Sequence, residues 1–153
     1  MTRKKPPYIE ALLTAFALLP GLASAFPALN PDVSQATIRE TICRPGYSSI
    51  VRPSTTFTNP IKLRLMSEAG IPTENSSKWA LDHRIAIGLG GHPRQLSNLQ
   101  LLTTSENSRK SRIEVKLLCF VCTNAMPLRQ AQEELALDWQ KTYQNYAQVK
   151  CRR

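Results

Sequence analysis

Residues 79–110 of this 153-residue chain hold, close together, the residue types that hydrolytic chemistry needs. Asp82 and His83 are adjacent, and Asn107 follows at the start of a polar, helix-like segment. Asp82 offers a hard carboxylate oxygen to a divalent metal. His83 is the side chain suited to taking a proton from water near neutral pH. Asn107 can add a second, neutral oxygen ligand, and Lys110 a cation for a phosphate-bearing substrate. These are the parts for metal-assisted cleavage of a phosphodiester. His83 and His92 are the two histidines of the chain. His92, in Gly91-His92-Pro93, reads as a loop residue rather than a ligand.

The elements that must position these groups can be read from period and punctuation. Residues 79–83 form a first strand and residues 98–102 a second, joined by a turn whose Gly88, Gly90 and Gly91 let the chain fold back. A helix follows from about residue 105 to 121, with Ile113, Leu117 and Leu118 as its apolar stripe. Asn107 and Lys110 are three apart and share a face of it. Residues 127–148 give a last long helix, on which Ala131, Leu135, Trp139 and Tyr143 recur at helical spacing. Upstream, Asn59-Pro60 opens a helix that Gly70 ends. Its Ile61, Leu65 and Met66 pack, while Lys62 and Arg64 make a basic outer face. A short helix is expected over residues 33–40 and a polar loop over 71–78. The whole reads as a small α+β domain.

The first 25 residues have the pattern of a secretory leader: Arg3, Lys4 and Lys5, a short apolar run, then Ala23-Ser24-Ala25. The apolar run is too short to span a bilayer. Residues 26–153 are then one domain, exported to a periplasm or secreted, with no stable membrane association after cleavage. Loss of the leader removes three basic residues and Glu10, which takes the formal charge from +9 to +7. Such an excess suits a polyanion such as nucleic acid, though a solvated surface or an anionic membrane would suit it equally. The four cysteines are Cys43, Cys119, Cys122 and Cys151. An even count in an exported chain points to disulfides, with three pairings possible. A zinc site needs two close pairs and only Cys119/Cys122 is close. A redox CxxC lacks its βαβ surroundings.

Asp82-His83, Gly90-Gly91, Asn98-Leu99, Asn107 and Lys110, in that order, resemble the HNH endonucleases, which share the ββα-metal fold. Ala86 and Gly88 depart from the pattern, at positions where the family often has proline and its exported members often have an acid. The segment Cys43-Arg44-Pro45-Gly46-Tyr47 and the later Val51-Arg52-Pro53 are similar to the N-terminal signature of exported proteins of that kind. The resemblance implies a ββα-metal core over residues 79–121 with flanking helices. It implies Asp82 and Asn107 as metal ligands, His83 as general base and Asn98 as the brace of the loop that aims it. It also implies that Cys43 pairs with Cys122, which leaves Cys119 for Cys151. One divalent ion is expected, Mg²⁺ favoured because two protein ligands leave room for water and phosphate, with Zn²⁺, Mn²⁺ or Ni²⁺ allowed by the resemblance. Arg52, Lys62 and Lys110 are the expected substrate contacts. The function so implied is a metal-dependent endonuclease of low sequence specificity, with DNA the favoured partner. The alternative is an exported nucleic-acid-binding protein on a degenerate scaffold of the same kind.

Overall fold

A computed structural model describes residues 26–151; the expected leader, residues 1–25, lies outside the described residues. The elements run α1 (Tyr47–Val51), α2 (Thr55–Glu68), β1 (Trp79–His83), β2 (Leu99–Thr103), α3 (Thr104–Cys122) and α4 (Leu128–Tyr146). One antiparallel pair, β1 with β2, and a majority of helix make this a mixed α+β fold. Among the described residues no helix is long and apolar enough to cross a membrane.

The hairpin register pairs Asp82 with Gln100 and His83 with Leu99. The second strand thus begins one residue later than its apolar run suggests. Asn98 instead closes a short 3₁₀ turn, Leu96–Asn98. The switch from β2 to α3 takes no linker. Thr103 ends the strand and caps the helix: its hydroxyl accepts from the Glu106 N–H, and the Glu106 carboxylate accepts from the Thr103 N–H. This reciprocal cap satisfies donors that a helix start otherwise leaves open. It also fixes Asn107 one turn into a helix that continues directly from the strand pairing with Asp82.

The core lies between α3 and α4 and under the β1–β2 connection. Ile113, Leu117 and Val121 of α3 are fully buried, as are Ile85 and Leu89 of the connection. Ala131, Leu135 and Trp139 of α4 close over them, joined from the N-terminal side by Val33, Ile38 and Ile42. The aromatic stripe on α4 is therefore core. The helix departs from helical angles at Asp138 (φ −162°, ψ 87°), and the Thr142 hydroxyl donates to the Glu134 and Asp138 carbonyls across the break.

Three expectations for the N-terminal half need correction. Residues 33–40 are successive turns rather than a helix. There the Thr37 hydroxyl takes the Ser34 N–H and donates to the Asp32 carbonyl, and such local side-chain bonds compete with helix formation. The helix expected over 59–70 starts earlier, at Thr55, with Pro60 inside it. Its end is as read: Gly70 takes φ 67°, and Ile71 N and Gly70 N bond back to the Met66 and Ser67 carbonyls. The expected loop after it contains a 3₁₀ helix, Thr73–Lys78.

Two disulfides, Cys43–Cys122 and Cys119–Cys151, fasten the end of α3 to the N-terminal segment and to the C-terminal tail. No cysteine remains free among the described residues, so neither a thiolate zinc site nor a dithiol is available there. Each such bridge in a small domain contributes about 2–4 kcal/mol, and both suit an oxidising compartment.

Candidate active site

His83 ends β1 and is 9% exposed. Its Nε2 lies 3.0 Å from the carbonyl oxygen of Pro93. A carbonyl only accepts, so Nε2 carries the proton and Nδ1 is left as the acceptor. Burial pushes the ring's pKa below 6.5; the bond to Pro93 and the Asp82 charge oppose that push, while Arg52 and Lys110 add to it. The push favours the neutral ring, the form that can take a proton.

Pro93 can hold His83 only because the residue 84–98 connection is itself held. Asn98, with no exposed surface, does most of this. Its Oδ1 accepts from the Ile85 N–H at 2.9 Å, and its Nδ2 donates to the carbonyls of Ile85 and His92, both at 3.0 Å. Gly91 is required by this brace. A Cβ there would sit 1.9 Å from the Ile85 carbonyl oxygen and 2.7 Å from Asn98 Nδ2. Gly90 takes φ 78°, a conformation that side chains disfavour. Gln132 of α4 donates to the Leu89 carbonyl from beneath. Residues 28–30 pair from above: His92 N bonds the Ala28 carbonyl and Asn30 N the Gly90 carbonyl. His92 is a turn brace, its Nδ1 accepting from Arg94 N and Gln95 N.

Asp82 is also 9% exposed. Its Oδ2 accepts from Gln100 Nε2 at 2.9 Å and faces Lys110 Nζ at 3.0 Å. Both contacts fall on Oδ2, which leaves Oδ1 as the oxygen of the pair for a further partner. Lys110, expected to touch substrate, does not reach solvent: it is fully buried. Its ammonium donates to the His83 carbonyl at 2.8 Å and is paired with Asp82 and Glu114, so its three protons are all used. Lys110 is an internal counter-ion that fixes the Asp82 carboxylate. Burial pushes the Glu114 carboxyl up and the Lys110 charge opposes it.

A cleft of about 340 Å³ opens over these groups, lined by Asp82, His83, Asn107, Arg52, Glu114, Ser48 and Ser111 among others. The structure thus brings Asp82, His83, Asn107 and Arg52 to one surface. Lys62 is not part of it; its ammonium donates to the Ser76 carbonyl at 2.8 Å and ties α2 to the following turn. The oxygen donors present fit a hydrated hard cation: one carboxylate and one amide in a cleft with room for water. Among the described residues no group of three or more His, Cys, Asp or Glu is placed to hold a metal ion.

Sequence reasoning missed Glu114, Ser111 and Gln100. The signal for the first two was present, since Asn107, Lys110, Ser111 and Glu114 follow helical spacing on one face. Gln100 needed only the hairpin register. The Pro93 carbonyl had no side-chain signal. Comparison with family models, curated proteins and solved structures finds no match for this chain.

Proposed function

We propose that this protein hydrolyses nucleic-acid phosphodiesters with the help of one divalent cation, and that β1, β2 and α3 form a ββα-metal core of the HNH kind. The observation that carries the reading is His83. It is fixed through Nε2–H on Pro93, biased by burial toward its neutral form, and set in the same cleft as Asp82, Asn107 and Arg52.

His83 Nδ1 takes a proton from water as the water oxygen attacks phosphorus, and the leaving oxygen departs on the opposite side. Lys110 and Gln100 hold Asp82 Oδ2, so the carboxylate keeps one orientation. Arg52 supplies a cation at the cleft for a non-bridging phosphate oxygen. A cation held by Asp82 and Asn107, Mg²⁺ foremost, would stabilise the charge that develops on the phosphate and the leaving oxygen. The basic balance of the chain suits a polyanionic substrate, and its disulfides suit export. The test is incubation of residues 26–153 with DNA and RNA, with and without EDTA. Cleavage abolished by EDTA and restored by Mg²⁺ is the expected result. Binding without any cleavage would instead identify a non-catalytic nucleic-acid-binding protein.

A further inference from the structure

A second hollow adjoins the first. It has a volume of about 580 Å³ and shares Ser48, Val115 and Leu118 with the cleft that holds His83. That volume is within the range of about 300–1,000 Å³ usual for small-ligand sites. Its walls differ from those of the first. Pro45, Tyr47, Leu118 and the Cys43–Cys122 bridge give it apolar and aromatic surface, while Arg44 and Thr123 supply polar groups. It carries no carboxylate, so nothing in it repels an anion.

We infer that this hollow is a base subsite: it takes one unstacked nucleobase of the strand whose phosphate lies at His83. The inference rests on the phosphodiesterase reading and deepens it. Three observations converge. The two hollows lie side by side, sharing Ser48 of α1 and Val115 and Leu118 of α3, so a nucleotide next to the cut phosphate need not leave the protein surface. The chemistry alternates as a nucleotide does, with Arg52 and the polar groups at the phosphate, then apolar and aromatic walls for a flat ring. Arg44 belongs to the second hollow, where it suits the next phosphate along the strand. A base can enter only if it has left its stack, which is costly in a duplex and costs little in a single strand. The substrate class that follows is single-stranded nucleic acid, with base identity read weakly because every base presents a π-face.

The experiment compares cleavage of one oligonucleotide as a single strand and as a duplex, alongside bis(4-nitrophenyl) phosphate, a diester with no base. Wild type is set against Ser49→Glu and Arg44→Ala, both changes at exposed positions that line the second hollow and not the cleft of His83. The single strand should be cut at least tenfold faster than the duplex. Each variant should lose roughly tenfold in kcat/KM on the single strand, the scale of one base contact, and keep wild-type rates on the small diester. Equal cutting of single strand and duplex, or variants that keep wild-type rates on the single strand, would overturn the base subsite while leaving the phosphodiesterase reading standing. Equal loss on the small diester would overturn it as well, since the variants would then be acting on the cleavage site itself. Absence of metal-dependent hydrolysis of every substrate would overturn both.

Discussion

A histidine that donates one ring proton to a backbone carbonyl has one nitrogen left with which to accept another. That arrangement fixes the pH behaviour expected of His83. Burial pushes its pKa below 6.5, so in the proposed role the base is lost as the pH falls through that lowered value. The kcat/KM profile should therefore fall on the acid side with a midpoint below 6.5; a midpoint at or above 6.5 would contradict the assignment. The same shift has a stability sign. A histidine whose folded pKa is depressed adds stability that is present above pH 6.5 and is lost on acidification toward the folded value. His83→Ala should lower turnover by about a hundredfold or more, the usual scale for loss of a general base. Asp82→Ala and Asn107→Ala should each weaken Mg²⁺ binding in calorimetry, with excess metal rescuing part of the activity of at least one. Wild-type affinity in both would remove them as ligands. Lys110 belongs to a different category from the one its place in the motif implied. A buried ammonium between two carboxylates cannot also meet a phosphate in solvent.

At the level of elements, the hairpin, α3 and α4 were legible because periodicity and caps state them directly. The strand Trp79–His83 and the helical stripe of Ile113 and Leu117 need no tertiary information. The N-terminal turns were not legible, because Thr37 and its neighbours choose between helix and local side-chain bonds by context. Of the candidate site, the sequence spacing could pick out Asp82, His83 and Asn107, which line one cleft, and Asn98, which braces the connection beside it. What could not be read was what depends on approach in space: the Pro93 carbonyl, the Gln100 contact and the burial of Lys110. The connection between β1 and β2 carries a prediction of its own. Gly91→Ala puts a methyl 1.9 Å from a backbone oxygen, whereas Gly88→Ala meets two side chains, the Ser48 hydroxyl at 3.2 Å and Leu118 at an ordinary 3.7 Å. Thermal unfolding should show a much larger loss of Tm for Gly91→Ala than for Gly88→Ala. Asn98→Ala should cost about 3 kcal/mol or more, because it leaves the Ile85 N–H and the Ile85 and His92 carbonyls without their partner. Equal Tm values across these variants would show that the brace is dispensable.

Across the whole molecule, two bridges close on the last turns of the helix that begins one turn before Asn107. Their loops span sequence separations of 79 and 32, so reduction frees long stretches of the unfolded chain. Reductant should lower Tm and weaken Mg²⁺ binding together, as α3 loosens and Asn107 shifts relative to Asp82. A chain that keeps both properties under reductant would separate the bridges from the site. The same coupling predicts slower cleavage by the reduced protein than by the oxidised one, and equal rates in the two states would contradict it. The account as a whole stands on His83 acting as a base in a cation-dependent cleft. The most direct measurement is the initial rate of single-stranded DNA cleavage by oxidised residues 26–153 across a Mg²⁺ titration, wild type against His83→Ala. The account predicts a saturable rise for wild type and, at saturating Mg²⁺, a rate lower by about a hundredfold or more for the variant. A rate independent of Mg²⁺, or a variant as fast as wild type, would contradict it.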